Sequence, residues 1–119
     1  MADTDELARD EWRAYFDDLS RTLATTRATV EIDAPDLGAQ VQSEGLLLSG
    51  ISYDDRDDVL VIDLSPGGPA ESLEHMVSEP QRIVVESSEG IVPSTIEVED
   101  AEGQQTLLRL QPAPALPAE

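Results

Sequence analysis

The architecture of this chain turns on GLLLSGISYDDRDDVLVIDL, residues 45–64. Two apolar arms flank Asp54-Asp55-Arg56-Asp57-Asp58. Five consecutive charges cannot enter a core, so they mark a solvated tip between two strands. The pattern predicts a long β-hairpin over 40–64, with a first arm from Val41 to Tyr53 and a second from Val59 to Leu64. In the second arm Val59 and Val61 alternate with Leu60, Ile62 and Leu64. Both faces are apolar, which places this strand inside a sheet rather than at its edge. Gly45 and Gly50 fall within the first arm, where glycine marks a bulge or a strong bend.

The flanking segments extend this reading. Residues 4–24 predict an amphipathic helix, with Ala8, Trp12, Tyr15, Phe16, Leu19 and Leu23 on one face. Asp3 and Glu6 have the spacing of a capping box, and Asp5–Arg9 and Asp17–Arg21 that of helical ion pairs. Residues 28–33 alternate as a half-buried strand, broken by Ala34-Pro35-Asp36-Leu37-Gly38. Ser65-Pro66-Gly67-Gly68-Pro69 is a second break. Leu73, Met76 and Val77 then predict a short helix over 70–78, ended by Pro80. Strands follow at 82–86, 91–99 and 105–110, with a turn at Ser87–Gly90 between the first two. The expectation is an α+β domain over residues 1–110. It has an N-terminal amphipathic helix on a strongly bent, mostly antiparallel sheet of about six strands, a half-barrel or small barrel, with one short helix inserted. Residues 111–119 form a Pro/Ala-rich tail that cannot continue a sheet.

Composition narrows the chemistry. The 119 residues carry 26 Asp+Glu against 7 Lys+Arg, a net charge of -19, with one His and no Cys. All seven cations are arginine. Thiolate zinc sites, iron–sulfur clusters, cysteine nucleophiles and Schiff-base lysines are therefore excluded, and no cofactor is expected. Repulsion from phosphate argues against nucleic acid and against anionic membrane surfaces. The N-terminus has neither a basic nor an apolar leader region, and no apolar run is long enough to span a membrane. The expectation is a soluble, cytoplasmic protein. The acids are spread along the whole chain, which fits a halophile's cytosol better than an acidic mimic of nucleic acid.

Glu11-Trp12-Arg13 with Tyr15-Phe16, then Gly50-Ile51-Ser52-Tyr53-Asp54 with Asp57-Asp58-Val59-Leu60, and the Pro-Ala-Leu-Pro ending carry a resemblance. Over almost its whole length the chain resembles a family of short bacterial and archaeal proteins classed only as a domain of unknown function. That resemblance implies one full-length domain and no activity. A looser likeness to Sm-like small barrels rests on Gly50, Asp54 and Val59–Ile62. It bears on shape alone, since Ser52 stands where an apolar residue belongs and the Arg-Gly of the second Sm motif is missing.

No residue pattern points to catalysis. Counted from Asp54, a calcium loop would need Gly at Val59 and a bidentate acid at Ser65, so the acidic tip fails that test. His75 has no nucleophile motif near it. Tyr53, Asp54 and Asp57 are the candidate partner-contact residues, Tyr53 being either an exposed recognition aromatic or a core or rim side chain. The expected role is that of a non-enzymatic accessory or protein-interaction domain. Its partner is a protein whose identity the sequence does not supply. A barrel that binds a small apolar molecule is the alternative, and a carboxylate-based hydrolase a remnant third.

Overall fold

A computed structural model of the chain describes residues 3–22, 26–35, 38–65, 73–87 and 93–111. Its elements are β1 (Asp3–Glu6), a 3-10 turn (Arg9–Glu11), α1 (Trp12–Ser20), β2 (Arg27–Ala34), β3 (Gly38–Asp54), β4 (Val59–Ser65), β5 (Leu73–Ser78), β6 (Pro80–Ser87), β7 (Thr95–Asp100) and β8 (Gln105–Gln111). The strands form one antiparallel sheet in the order β1-β6-β7-β8-β2-β3-β4-β5. The expected α+β class and strongly bent antiparallel sheet are both present.

The sheet bends because β3 serves two neighbours in turn. Its first half pairs with β2, from Ala34↔Gly38 to Arg27↔Leu47. Its second half pairs with β4, from Leu47↔Ser65 to Asp54↔Val59. Gly45 stands at a register shift inside the β2–β3 ladder, between Ala28↔Leu46 and Val30↔Ser43, with φ at +67°. That left-handed conformation is costly for any residue with a Cβ. The Arg27 guanidinium donates to the Gly45 carbonyl at 2.7 Å and holds the bend. Gly50 lies at the register shift between β3 and β4. Both glycines thus do what their position in an apolar arm predicts.

The concave side holds the core. β4 alternates buried and half-buried side chains along its whole length, with Leu60, Ile62 and Leu64 inside. Val30, Ile83, Ile96, Val98 and Leu108 face the same interior. α1 closes it with Trp12, Phe16 and Leu19, one buried stripe at helical spacing. Trp12 meets Tyr53 edge-on at 5.1 Å between ring centroids. Ser20 ends the helix by bonding β3: its hydroxyl donates to the Ile51 carbonyl at 2.7 Å and accepts from the Ile51 N–H at 3.1 Å.

Several expectations need correction. The sheet has eight described strands, not about six. It is open, with β1 and β5 as its two edges among the described residues, so of the two expected forms it is the half-barrel. The predicted short helix is absent where it can be seen, since Leu73–Ser78 is strand β5, paired from Val59↔Ser78 to Leu64↔Leu73. Leu73, Met76 and Val77 have helical spacing, but Leu73, His75 and Val77 alternate equally well, and Leu60, Ile62 and Leu64 of β4 offer a partner face. The N-terminal helix is also shorter than residues 4–24. Asp3–Glu6 is a strand on the edge of β6, where Arg82 Nε donates to Glu6 at 2.8 Å. The capping residue is Glu11, which accepts the Ala8 N–H at 3.2 Å. Arg21 pairs with Asp18 at 2.7 Å instead of Asp17. Gln111, expected to open the tail 111–119, still belongs to β8 opposite Arg27. Leu23, the Ser65–Pro69 break beyond Ser65, the Ser87–Gly90 turn beyond Ser87 and the rest of the tail lie outside the described residues.

Candidate functional site

The acidic tip is built by its own backbone. Asp54 Oδ1 accepts the N–H of Arg56 at 2.9 Å and that of Asp57 at 3.3 Å, so this carboxylate shapes the turn. Asp57 is exposed. Asp58 turns the chain back with φ at +52°, a conformation that Asp tolerates better than most residues. Its carbonyl accepts the Glu79 N–H at 2.8 Å. The hairpin tip is thereby fastened to the corner where β5 becomes β6.

Tyr53 is a core side chain with a polar end, and 8% of it is exposed. Its hydroxyl donates to Asp58 Oδ1 at 2.6 Å. Arg9 Nη1 lies 3.5 Å from that hydroxyl and 3.4 Å from the same carboxylate. The Arg9 guanidinium sits 4.5 Å above the Trp12 ring and donates through Nη2 to the Pro80 carbonyl at 3.0 Å. Burial, then the hydrogen bond and charge of Asp58, raise the Tyr53 pKa, and Arg9 opposes them. This network joins the N-terminal segment, the hairpin and the β5–β6 corner. Of the three candidate contact residues, the Tyr53 ring faces the core, Asp54 is committed to the turn, and Asp57 reaches solvent.

Two open clefts lie beside the helix. One, of about 270 Å³, is lined by Tyr15, Asp18, Leu19 and Thr22. The other, of about 330 Å³, is lined by Arg13, Tyr53, Asp54, Asp55 and Arg56. Arg13 and Asp55 face each other across the second at 3.5 Å, and both are more than half exposed, so their attraction is weak. Among the described residues no group of three or more acids or histidines is placed to hold a metal ion. No helix there is long and apolar enough to cross a membrane.

The two sheet edges differ sharply. The β1 edge is four residues long, and three of them are acids. Charge of that kind discourages another strand from adding. The β5 edge, LEHMVS, contains no proline and one acid. It exposes Leu73 by 48% and Met76 by 55%. Among the described residues no strand pairs with its outer side. His75 is half-buried on the same strand, and burial lowers its pKa.

The model of a family of unknown function, DUF5335, matches residues 3–119. The chain belongs to that family. An uncharacterized protein from Aquifex aeolicus (strain VF5) is 37% identical over 114 residues, spanning 96% of this chain and 97% of its own length. No solved structure matches. Membership of DUF5335 brings no assigned residues, so any site has to come from the geometry of the chain. Two strands are not what the sequence pattern predicts, β1 and β5, and β5 carries the exposed edge. Its signal was present in the alternation of Leu73, His75 and Val77, and in a length nearer to a strand's than to a helix's.

Proposed function

We propose that this DUF5335 protein is a non-enzymatic accessory domain that holds a protein partner at its open sheet edge. The observation that carries the reading is β5, an edge strand with Leu73 and Met76 exposed, no proline and a single acid, Glu74. Apolar residues exposed on an edge that no described strand pairs leave main-chain groups and side chains together available for strand addition. The absence of cysteine and lysine from the chain supports a binding role over covalent catalysis. The spread of 26 acids supports a salt-rich cytoplasm as the working solvent. The small-molecule barrel has less support, because large side chains fill the concave side of the sheet.

The test is affinity capture of the tagged protein from its own lysate at native salt, read by mass spectrometry. It is run beside a variant carrying Leu73→Ser and Met76→Ser. Both side chains are about half exposed, and circular dichroism of the variant checks that its fold is kept. A stoichiometric partner held by the wild type and lost by the variant is the expected result. Equal capture by both proteins, or a bait with no partner, overturns the reading.

A further inference from the structure

The last strands of the sheet state what kind of segment would complete it. On their outer face Asp63 of β4 lies directly opposite Glu74 of β5. Like charges in directly opposed positions destabilise a strand pair. Gly50, the β3 neighbour of Asp63 on the side away from Glu74, brings no side chain to balance it. β3, β4 and β5 contain no arginine, and among the described residues neither carboxylate has an ion-pair partner. Two positions along the same face, Met76 lies opposite Val61. On the other face, Leu73 lies opposite Leu64 at the end of the strand.

An antiparallel strand added to β5 would set one residue against each of these. A cation opposite Glu74 would relieve the Asp63–Glu74 repulsion. An apolar residue two positions earlier would cover Met76, and one immediately after the cation would cover Leu73. We infer that β5 receives an extended basic segment of a partner protein, with the pattern apolar, any residue, Arg or Lys, apolar. This rests on the reading of β5 as the contact edge. A second copy of the chain is the poorer occupant, since β5 offers only Glu74 and His75 as ionisable groups and each copy carries a net charge of -19.

The probe is the peptide acetyl-Ser-Ile-Thr-Arg-Val-Ser-amide, with a control in which its Arg is replaced by Glu. Each is titrated into the full ¹⁵N-labelled chain at low salt. The arginine peptide is expected to bind about tenfold tighter than the glutamate peptide, with amide shifts confined to β4 and β5. Glu74→Arg should reverse that preference, and its spectrum reports whether the fold is kept. Equal binding, no binding, or shifts mapped elsewhere overturn the inference. So does a concentration-dependent dimer with newly protected β5 amides, which makes the occupant a second copy. So do β5 amides already protected from exchange in the monomer, which means that the chain covers its own edge. If the peptide preference fails while capture still depends on Leu73 and Met76, only the basic pattern is lost. If both fail, the edge reading goes with it.

Discussion

Thr106 is 1% exposed on β8, opposite Ile32 and Val98, and its Oγ1 has no hydrogen-bond partner among the described residues. A buried hydroxyl left unpaired keeps its desolvation cost without any return. Thr106→Val replaces it with a methyl of similar shape and is expected to stabilise the fold by about 1 kcal/mol, read as a higher urea midpoint with unchanged slope. His75 behaves differently, because its burial disfavours the charged form. Well above the unfolded-state value of about 6.5 the ring is neutral in both the folded and unfolded chains and has no effect on stability. Below that, the unfolded chain takes up a proton that the folded strand resists, so stability falls. Urea melts at about pH 7.5 and about pH 5.5 should show the wild type losing stability relative to His75→Leu on acidification. A difference between the two proteins that is independent of pH would count against this role for burial.

The long strand β3 is bent by two glycines for different reasons, and substitution should separate them. Gly45 has φ at +67° and nothing within 4 Å of a would-be Cβ, so Gly45→Ala suffers backbone strain alone. The expected cost is about 1–2 kcal/mol. Gly50 has no such conformation, and a Cβ there would sit 3.9 Å from Asp63 Oδ2, an ordinary contact. Gly50→Ala should be neutral or stabilise by about 0.5 kcal/mol, because alanine narrows the unfolded ensemble. Thermal melts of the two variants check the contrast, and equal losses would mean that the bulge, not the left-handed residue, sets the bend. The same contrast explains why this element was legible from its sequence while β5 was not. Glycines in an apolar arm announce a bend wherever the partner strands lie. Six residues of LEHMVS satisfy a helical and an alternating pattern at once, and only β4 beside them selects the second.

The five ion pairs among the described residues lie largely at the surface, with side-chain exposures from 23% to 75%. Such pairs contribute little, so screening them costs little. The net charge of -19 acts over a molecule with a radius of gyration of 14.3 Å. At about 0.01 M salt the screening length is roughly 30 Å, and each carboxylate feels most of the others. At about 1 M it is roughly 3 Å, and only immediate neighbours remain. The melting temperature is therefore expected to rise from low to molar KCl. Equal melting temperatures would remove salt adaptation as the reason for the acidity and leave a basic partner as its explanation.

Properties that depend on composition and on neighbours along the chain were readable from the residues alone. The helical stripe of Trp12, Phe16 and Leu19, the hairpin with its charged tip, the glycine bends and the exclusion of thiol and lysine chemistry are of this kind. A helix makes its hydrogen bonds within four residues, and a tip of five charges is solvated in any fold. Strand pairing has no such local rule, because the partner comes from elsewhere in the chain. Asp3–Glu6 has no apolar period and became a strand because β6 presented an open edge with Arg82 on it. Tyr53 turned its ring inward because Trp12 and Asp58 received its two ends. The β5 edge, open among the described residues and carrying Leu73, Glu74 and Met76, exists only because β4 is already paired with β3 on its other side.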